Sequence, residues 1–93
     1  MPQYKVFFKP SADRQLQKLP ADVQRRVVNE VAALAFDPRP AGVGKLAGAE
    51  NLWRIRIGNY RVVYEIHEDR LIVLVLRVAH RKDAYRGKRP KGG

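Results

Sequence analysis

The sequence predicts a two-layer α+β domain, with two N-terminal helices packed on a mainly antiparallel four-stranded sheet in the order β-α-α-β-β-β. Three observations lead there. Apolar residues recur at three- and four-residue spacing from Val23 to Leu34, which is helical. Residues 52–64 alternate, turn at Gly58-Asn59 and alternate again, which is a β-hairpin. Leu71–Ala79 is a nearly continuous apolar stretch of strand length and should lie centrally in the sheet. The chain of 93 residues holds one core, so residues 1–86 are read as a single domain. Residues 87–93 are read as a basic, flexible tail without apolar anchors.

Tyr4 to Lys9 is short, rich in Val, Phe and Tyr, and ends at Pro10, so it reads as the first strand. Ser11 is placed to cap a helix running to about Leu19, with Leu16 and Leu19 on its apolar stripe. Pro20 interrupts, and a second helix runs from near Ala21 to about Phe36. Its buried face is Val23, Val27, Val31 and Leu34, with Val28 and Ala32 beside them. Asp37-Pro38 stops it. Residues 38–51 carry two prolines and three glycines and read as the longest irregular segment. The hairpin follows, and a turn at Glu68-Asp69 leads into the last strand.

Composition narrows the function. The net charge is +10, with 45% hydrophobic residues, enough apolar content to fold. Residues 1–37 hold six Lys/Arg against four Asp/Glu, whereas residues 38–93 hold thirteen against five. The excess therefore sits on the half with the hairpin, which points to nucleic acid, an anionic membrane surface or an acidic protein partner. There is no cysteine, so disulfides and thiolate metal sites are excluded. Neither the N-terminal Met-Pro-Gln-Tyr-Lys nor any other stretch has the apolar length of a signal peptide or membrane span, so a soluble, cytoplasmic protein is expected.

The hairpin carries the chemistry. Glycine at the first turn position suits a type II′ loop, which pairs Ile57 with Tyr60, Arg56 with Arg61, Ile55 with Val62 and Trp53 with Tyr64. One face is then aliphatic and aromatic, and the other presents Arg54, Arg56 and Arg61. Single arginines on strands are ordinary solvated residues. Like charges placed directly opposite each other destabilise a sheet, so this cluster reads as a site for a polyanion, with phosphate the natural candidate. Counting through a two-residue turn at Glu68-Asp69 sets Tyr60 opposite Arg77 and brings His80 to the arginine face. There its cationic form would be disfavoured and it becomes a candidate proton acceptor. His67 reads as an exposed turn residue. Tyr85, among Arg81, Lys82 and Arg86, can stack on a base. Metal, P-loop and Ser–His–Asp readings lack ligands or spacing.

The element order, the segment Leu52-Trp-Arg-Ile-Arg-Ile-Gly-Asn-Tyr-Arg-Val-Val-Tyr64 and the ending Arg77-Val-Ala-His-Arg-Lys-Asp-Ala-Tyr85 resemble the RelE branch of the RelE/ParE toxin superfamily. Lys45-Leu46-Ala47-Gly48 looks like that family's loop before the hairpin. The resemblance implies a type II toxin–antitoxin toxin: a ribosome-dependent endoribonuclease that cleaves messenger RNA in the A site. It implies 2′-hydroxyl attack on the adjacent phosphate, with no metal and no cofactor. Arg54 and Arg56 match two basic positions where better-known members carry lysine. Arg61 matches the arginine that binds the scissile phosphate, Arg81 the one assigned to the leaving group, and Tyr85 the tyrosine that stacks on the substrate base. Lys45, Arg77, Lys82 and Arg86 are assigned to RNA contact. The lysine-to-arginine departure matters, because roughly one arginine in 100,000 or fewer is neutral at pH 7. Arg54 and Arg56 are thus expected to stabilise charge, leaving His80, water or the ribosome as proton acceptor. Partners implied are the ribosome, messenger RNA and a cognate acidic, RelB-like antitoxin. The alternatives are a ParE-like inhibitor of DNA gyrase and a non-catalytic RNA-binding module.

Overall fold

Lys5–Phe8 form β1, Pro10–Gln17 α1, Ala21–Ala33 α2, Gly44–Lys45 β2, Leu52–Ile57 β3, Tyr60–His67 β4 and Ile72–His80 β5. The structure, a computed structural model, describes residues 3–46 and 51–80. The strands make one sheet in the order β1-β5-β4-β3-β2. β1 runs parallel to β5, and every other pairing is antiparallel. The two-layer α+β class is as the sequence predicts, with one strand more. The fifth strand, β2, lies in the segment read as irregular: Gly44 pairs with Arg54 and Lys45 with Trp53. Two residues are too few to show a period of two, so only the partner strand reveals them.

The helices show how local chemistry sets boundaries. α1 begins at Pro10, with Lys9 at the cap position and no side-chain cap, so Ser11 is not the cap expected of it. Proline at the first helical position has a φ already suited to the helix and no N–H of its own, which removes one of the unpaired donors a cap would serve. α2 stops at Ala33, short of the expected Phe36. Its last turn tightens, with Leu34 N–H donating to Val31 O at 3.0 Å and Phe36 N–H to Ala33 O at 3.1 Å.

Both helices bury one stripe against one face of the sheet. Ala12 and Leu16 of α1 meet Val27, Val31 and Leu34, and below them Ile55, Ile57, Val62, Tyr64, Ile66, Val73, Val75 and Val78. Val28 and Ala32, expected beside the stripe, are exposed. The alternate residues of β3, β4 and β5 form the opposite face, which neither helix covers. Among the described residues no helix is long and apolar enough to cross a membrane.

The β4–β5 connection departs from expectation. His67 pairs with Ile72, so the loop is the four residues 68–71 rather than a two-residue turn. Leu71 closes it at φ +55°, in the left-handed region, with its side chain partly exposed. That conformation costs an L-residue roughly 1–2 kcal/mol, which glycine escapes. Leu71→Gly is therefore expected to stabilise the fold by about 0.5–1 kcal/mol after glycine's extra unfolded-state entropy is subtracted. Urea unfolding checks this, since a lowered midpoint would mean that the leucine contacts outweigh the strain.

Candidate active site

The hairpin forms in the register its sequence dictates. Ile57 pairs with Tyr60, Arg56 with Arg61, Ile55 with Val62 and Trp53 with Tyr64. Gly58 opens the turn at φ +61°, and Asn59 stays at negative φ, as a type II′ loop requires. A two-residue loop makes Ile57–Tyr60 the hydrogen-bonded pair, so Arg56 and Arg61 occupy the next, closer pair, with Cα atoms about 4.5 Å apart. The open face thus carries two rows across the strands. One runs Gly44, Arg54, Val63, Arg77, and the other Arg56, Arg61, Ala79. Four guanidinium groups ring a floor of Val63 and Ala79. Arg56 is exposed, and Arg54, Arg61 and Arg77 are half-buried. Glu65, a candidate to disperse this charge, is engaged by His67 Nε2 at 2.9 Å. His67 therefore ends β4 rather than standing in a turn.

Arg77 reaches this face through a β-bulge. The register shifts between Val63 and Tyr64, whose partners are Arg77 and Val75, which leaves Leu76 as the extra residue. The same shift corrects two expectations. Tyr60 lies opposite His80, not Arg77, and His80 falls on the helix-facing side with Ile57 and Tyr60 rather than among the arginines. Its ring meets Tyr60 edge-on, with centroids 5.2 Å apart. The physical reason is parity: the one inserted residue reverses the facing of everything beyond it, whereas the turn, two residues longer than expected, moves partners by two without changing face.

Arg54 is held from below. A Cβ built on Gly44 would lie 3.5 Å from three atoms of the Arg54 guanidinium group, so that group lies over bare backbone where any side chain would touch it. Around the β3 edge, Arg54 and Arg56 also line a cleft of about 590 Å³ walled by Glu30, Leu34, Asp37 and Pro40. The cleft joins the arginine face to the end of α2.

Lys45 is not on that face. It pairs with Trp53 on the helix-facing side, its Nζ 5.7 Å from the indole ring. Arg39 covers the same ring at 4.9 Å and pairs with Glu68. Beneath, the fully buried Tyr64 donates its hydroxyl to Pro38 O at 2.7 Å. Burial pushes this phenol up to about 12, against the lowering effect of Arg39 and with a further rise from Asp37. These contacts pin the loop that delivers Gly44 to Arg54. Sequence reading passed over Arg39 and Gly44, and an arginine and a glycine in a Pro/Gly-rich loop carry no signal of their own. Arg81, Lys82, Tyr85 and Arg86 lie outside the described residues, as does the 87–93 tail. Among the described residues, no group of three or more His, Asp or Glu side chains is placed to hold a metal ion.

Chemically, the face can bind and neutralise a phosphodiester and stabilise added negative charge on it. Comparison with known proteins gives the family. The family model described as ParE toxin of type II toxin-antitoxin system, parDE, matches residues 6–85. Toxin RelG of Mycobacterium tuberculosis is 40% identical over 88 residues, covering 89% of this chain and 97% of that one. Toxin RelE3 of Methanocaldococcus jannaschii is 31% identical over 90 residues, covering 87% and 94%. In the archaeal RelE–RelB complex from Pyrococcus horikoshii, one chain superposes with a TM-score of 0.77 at 30% identity, covering 85% of this chain and 96% of that one. The toxin–antitoxin complex RelBE2 of M. tuberculosis gives 0.77 at 32% identity, with coverage of 86% and 93%. The isolated Escherichia coli RelE toxin, at 22% identity and a TM-score of 0.74, shares the fold, covering 90% of this chain and 97% of its own. With the family model spanning nearly all of its length and relatives matched end to end, the chain belongs to the RelE/ParE superfamily of toxins from type II toxin–antitoxin systems.

Proposed function

We propose that this toxin is a ribosome-dependent endoribonuclease that cuts messenger RNA in the A site and so arrests translation in the cytoplasm. The observation that supports it is the opposed pair Arg56 and Arg61, flanked by Arg54 and Arg77 on an open sheet face. Four arginines converging on one open face concentrate positive charge where a phosphodiester can be bound by several guanidinium groups at once. The 2′-hydroxyl of the nucleotide before the cut attacks the adjacent phosphorus. The P–O bond to the next nucleotide's 5′-oxygen breaks, leaving a 2′,3′-cyclic phosphate and a 5′-hydroxyl. Arg61 holds the scissile phosphate, and Arg54 and Arg56 stabilise the additional charge of the pentacovalent state. Arg81 protonates or stabilises the leaving oxygen, and Tyr85 stacks on the substrate base. Arg77, Lys82 and Arg86 contact the RNA backbone, and Lys45 meets it round the β2 edge. His80 sits at the strand end with its ring against Tyr60, so the proton from the 2′-hydroxyl passes to water or a ribosomal group. The cognate partner is an acidic RelB-like antitoxin, matched to the +10 charge of the toxin.

Purified toxin added to translating ribosomes tests this by toeprinting. New 5′ ends at A-site codons are expected, and none on the same RNA without ribosomes. Inhibition of gyrase supercoiling without any cut would assign the chain to the ParE-like, non-catalytic branch instead.

A further inference from the structure

Strand β5 changes neighbours halfway along. From Ile72 to Val75 it lies between β1 and β4. The last rung on the β1 side is Lys9 N–H to Val75 O at 2.8 Å. There the chain turns away at Pro10 into α1, so among the described residues the stretch from Leu76 to His80 has no strand beside it on that side. This is also the stretch that follows the bulge. It carries Arg77 and sets Ala79 opposite Arg61.

A bulge leaves its extra residue unpaired and disrupts the ladder locally, here beside an edge. Without the extra residue, Arg77 would face Val62 and the core, and the arginine face would lose a member. The missing strand is replaced by one side chain. Gln15 of α1 accepts a hydrogen bond from Val78 N–H through Oε1 at 2.7 Å. Its placement follows from the helix: Gln15 is three residues after Ala12 and one before Leu16, both buried against the sheet. An amide at this point of the turn reaches the strand edge while its neighbours fill the core.

We infer that Gln15 is a positioning residue for the arginine face, fixing β5 beyond its bulge so that Arg77 and Ala79 stay in register with Val63 and Arg61. The functional part of this inference rests on the ribonuclease reading. Glutamine is otherwise an unremarked helix residue, and its role exists only because β1 ends where it does.

The test compares Gln15→Leu, which removes the acceptor while keeping bulk, with Gln15→Glu, which keeps an acceptor at nearly the same reach. In the leucine variant, amide exchange at Val78 should accelerate about tenfold, the scale of one lost hydrogen bond. The Nε–H signals of Arg61 and Arg77 in nitrogen-detected NMR should shift with it. On ribosomes kcat should fall about tenfold with KM within about twofold, since the geometry of the cluster rather than RNA capture is disturbed. Gln15→Glu should restore all three to near wild type. Unchanged exchange at Val78 in a folded leucine variant would overturn the inference, as would faster exchange with unmoved arginine signals and wild-type kcat. If the wild-type toxin cuts nothing while exchange and arginine signals respond as described, the positioning role stands and the ribonuclease reading falls.

Discussion

Arg61→Ala is expected to lower cleavage of ribosome-bound messenger RNA by about 100-fold or more, the scale of removing one donor to a transition-state anion. Arg61 is the arginine most closely surrounded by others, facing Arg56 directly and lying diagonal to Arg77. Its guanidinium is half-buried, so a phosphate bound there is partly withdrawn from water and the contact is stronger than at the exposed Arg56. Stability should change little. Relief of the Arg56 repulsion favours the variant, and loss of the packed aliphatic stem opposes it. Arg61→Lys should fall between wild type and alanine, keeping the charge without the two-pronged geometry. Quantified primer extension on stalled ribosomes measures this directly. A folded alanine variant that cuts within a few-fold of wild type would remove Arg61 from the phosphate site.

The second large effect is expected at Tyr64, on stability. It is the largest fully buried side chain, and its hydroxyl holds Pro38 O. Tyr64→Ala should cost about 3–5 kcal/mol, a large share of what a domain of this size possesses, and the variant should be mostly unfolded at moderate urea. Tyr64→Phe should cost about 1–2 kcal/mol, because it leaves the Pro38 carbonyl buried and without its donor. The wild-type phenol also predicts an alkaline transition. Its pKa is raised from 10 to about 12 on folding. The stability that goes with the protonated phenol is therefore complete below pH 10 and is lost as pH climbs from 10 to 12. The loss amounts to roughly 2–3 kcal/mol. Urea midpoints measured from pH 9 to 11.5 should fall more steeply for wild type than for Tyr64→Phe. Parallel declines would show that Tyr64 titrates alike in the folded and unfolded states.

The loop over Tyr64 links the two effects. Pro38 and Arg39 tie the segment down over Tyr64 and Trp53, and a few residues later Gly44 supplies the backbone beneath Arg54. Loosening the first contact is therefore expected to loosen the second. The consequence for a variant such as Tyr64→Phe is a less ordered Arg54, even where the fold survives.

Much of this molecule could be read from its residues alone, and the parts that could be read are the local ones. The hairpin register follows from a two-residue turn whose geometry glycine dictates, so Arg56 opposite Arg61 was legible before any coordinates. The stripe Val23, Val27, Val31 and Leu34 was legible for the same reason, because a helix repeats within a few residues. What the sequence hid depends on elements distant along the chain. The bulge at Leu76 reverses the facing of His80 and carries Arg77 to the site, yet one extra residue leaves no mark in an apolar run. The two-residue β2 strand, the Arg39–Trp53 contact and the Gln15–Val78 bond each join segments with no common periodicity. Alternation and turn chemistry are written residue by residue and decide which side chains share a face. Register beyond a bulge, and the partner that closes an open strand edge, are settled only when separate elements pack, because there the burial of Val75 and Val78 on one side of Arg77 selects among registers that the chain locally permits.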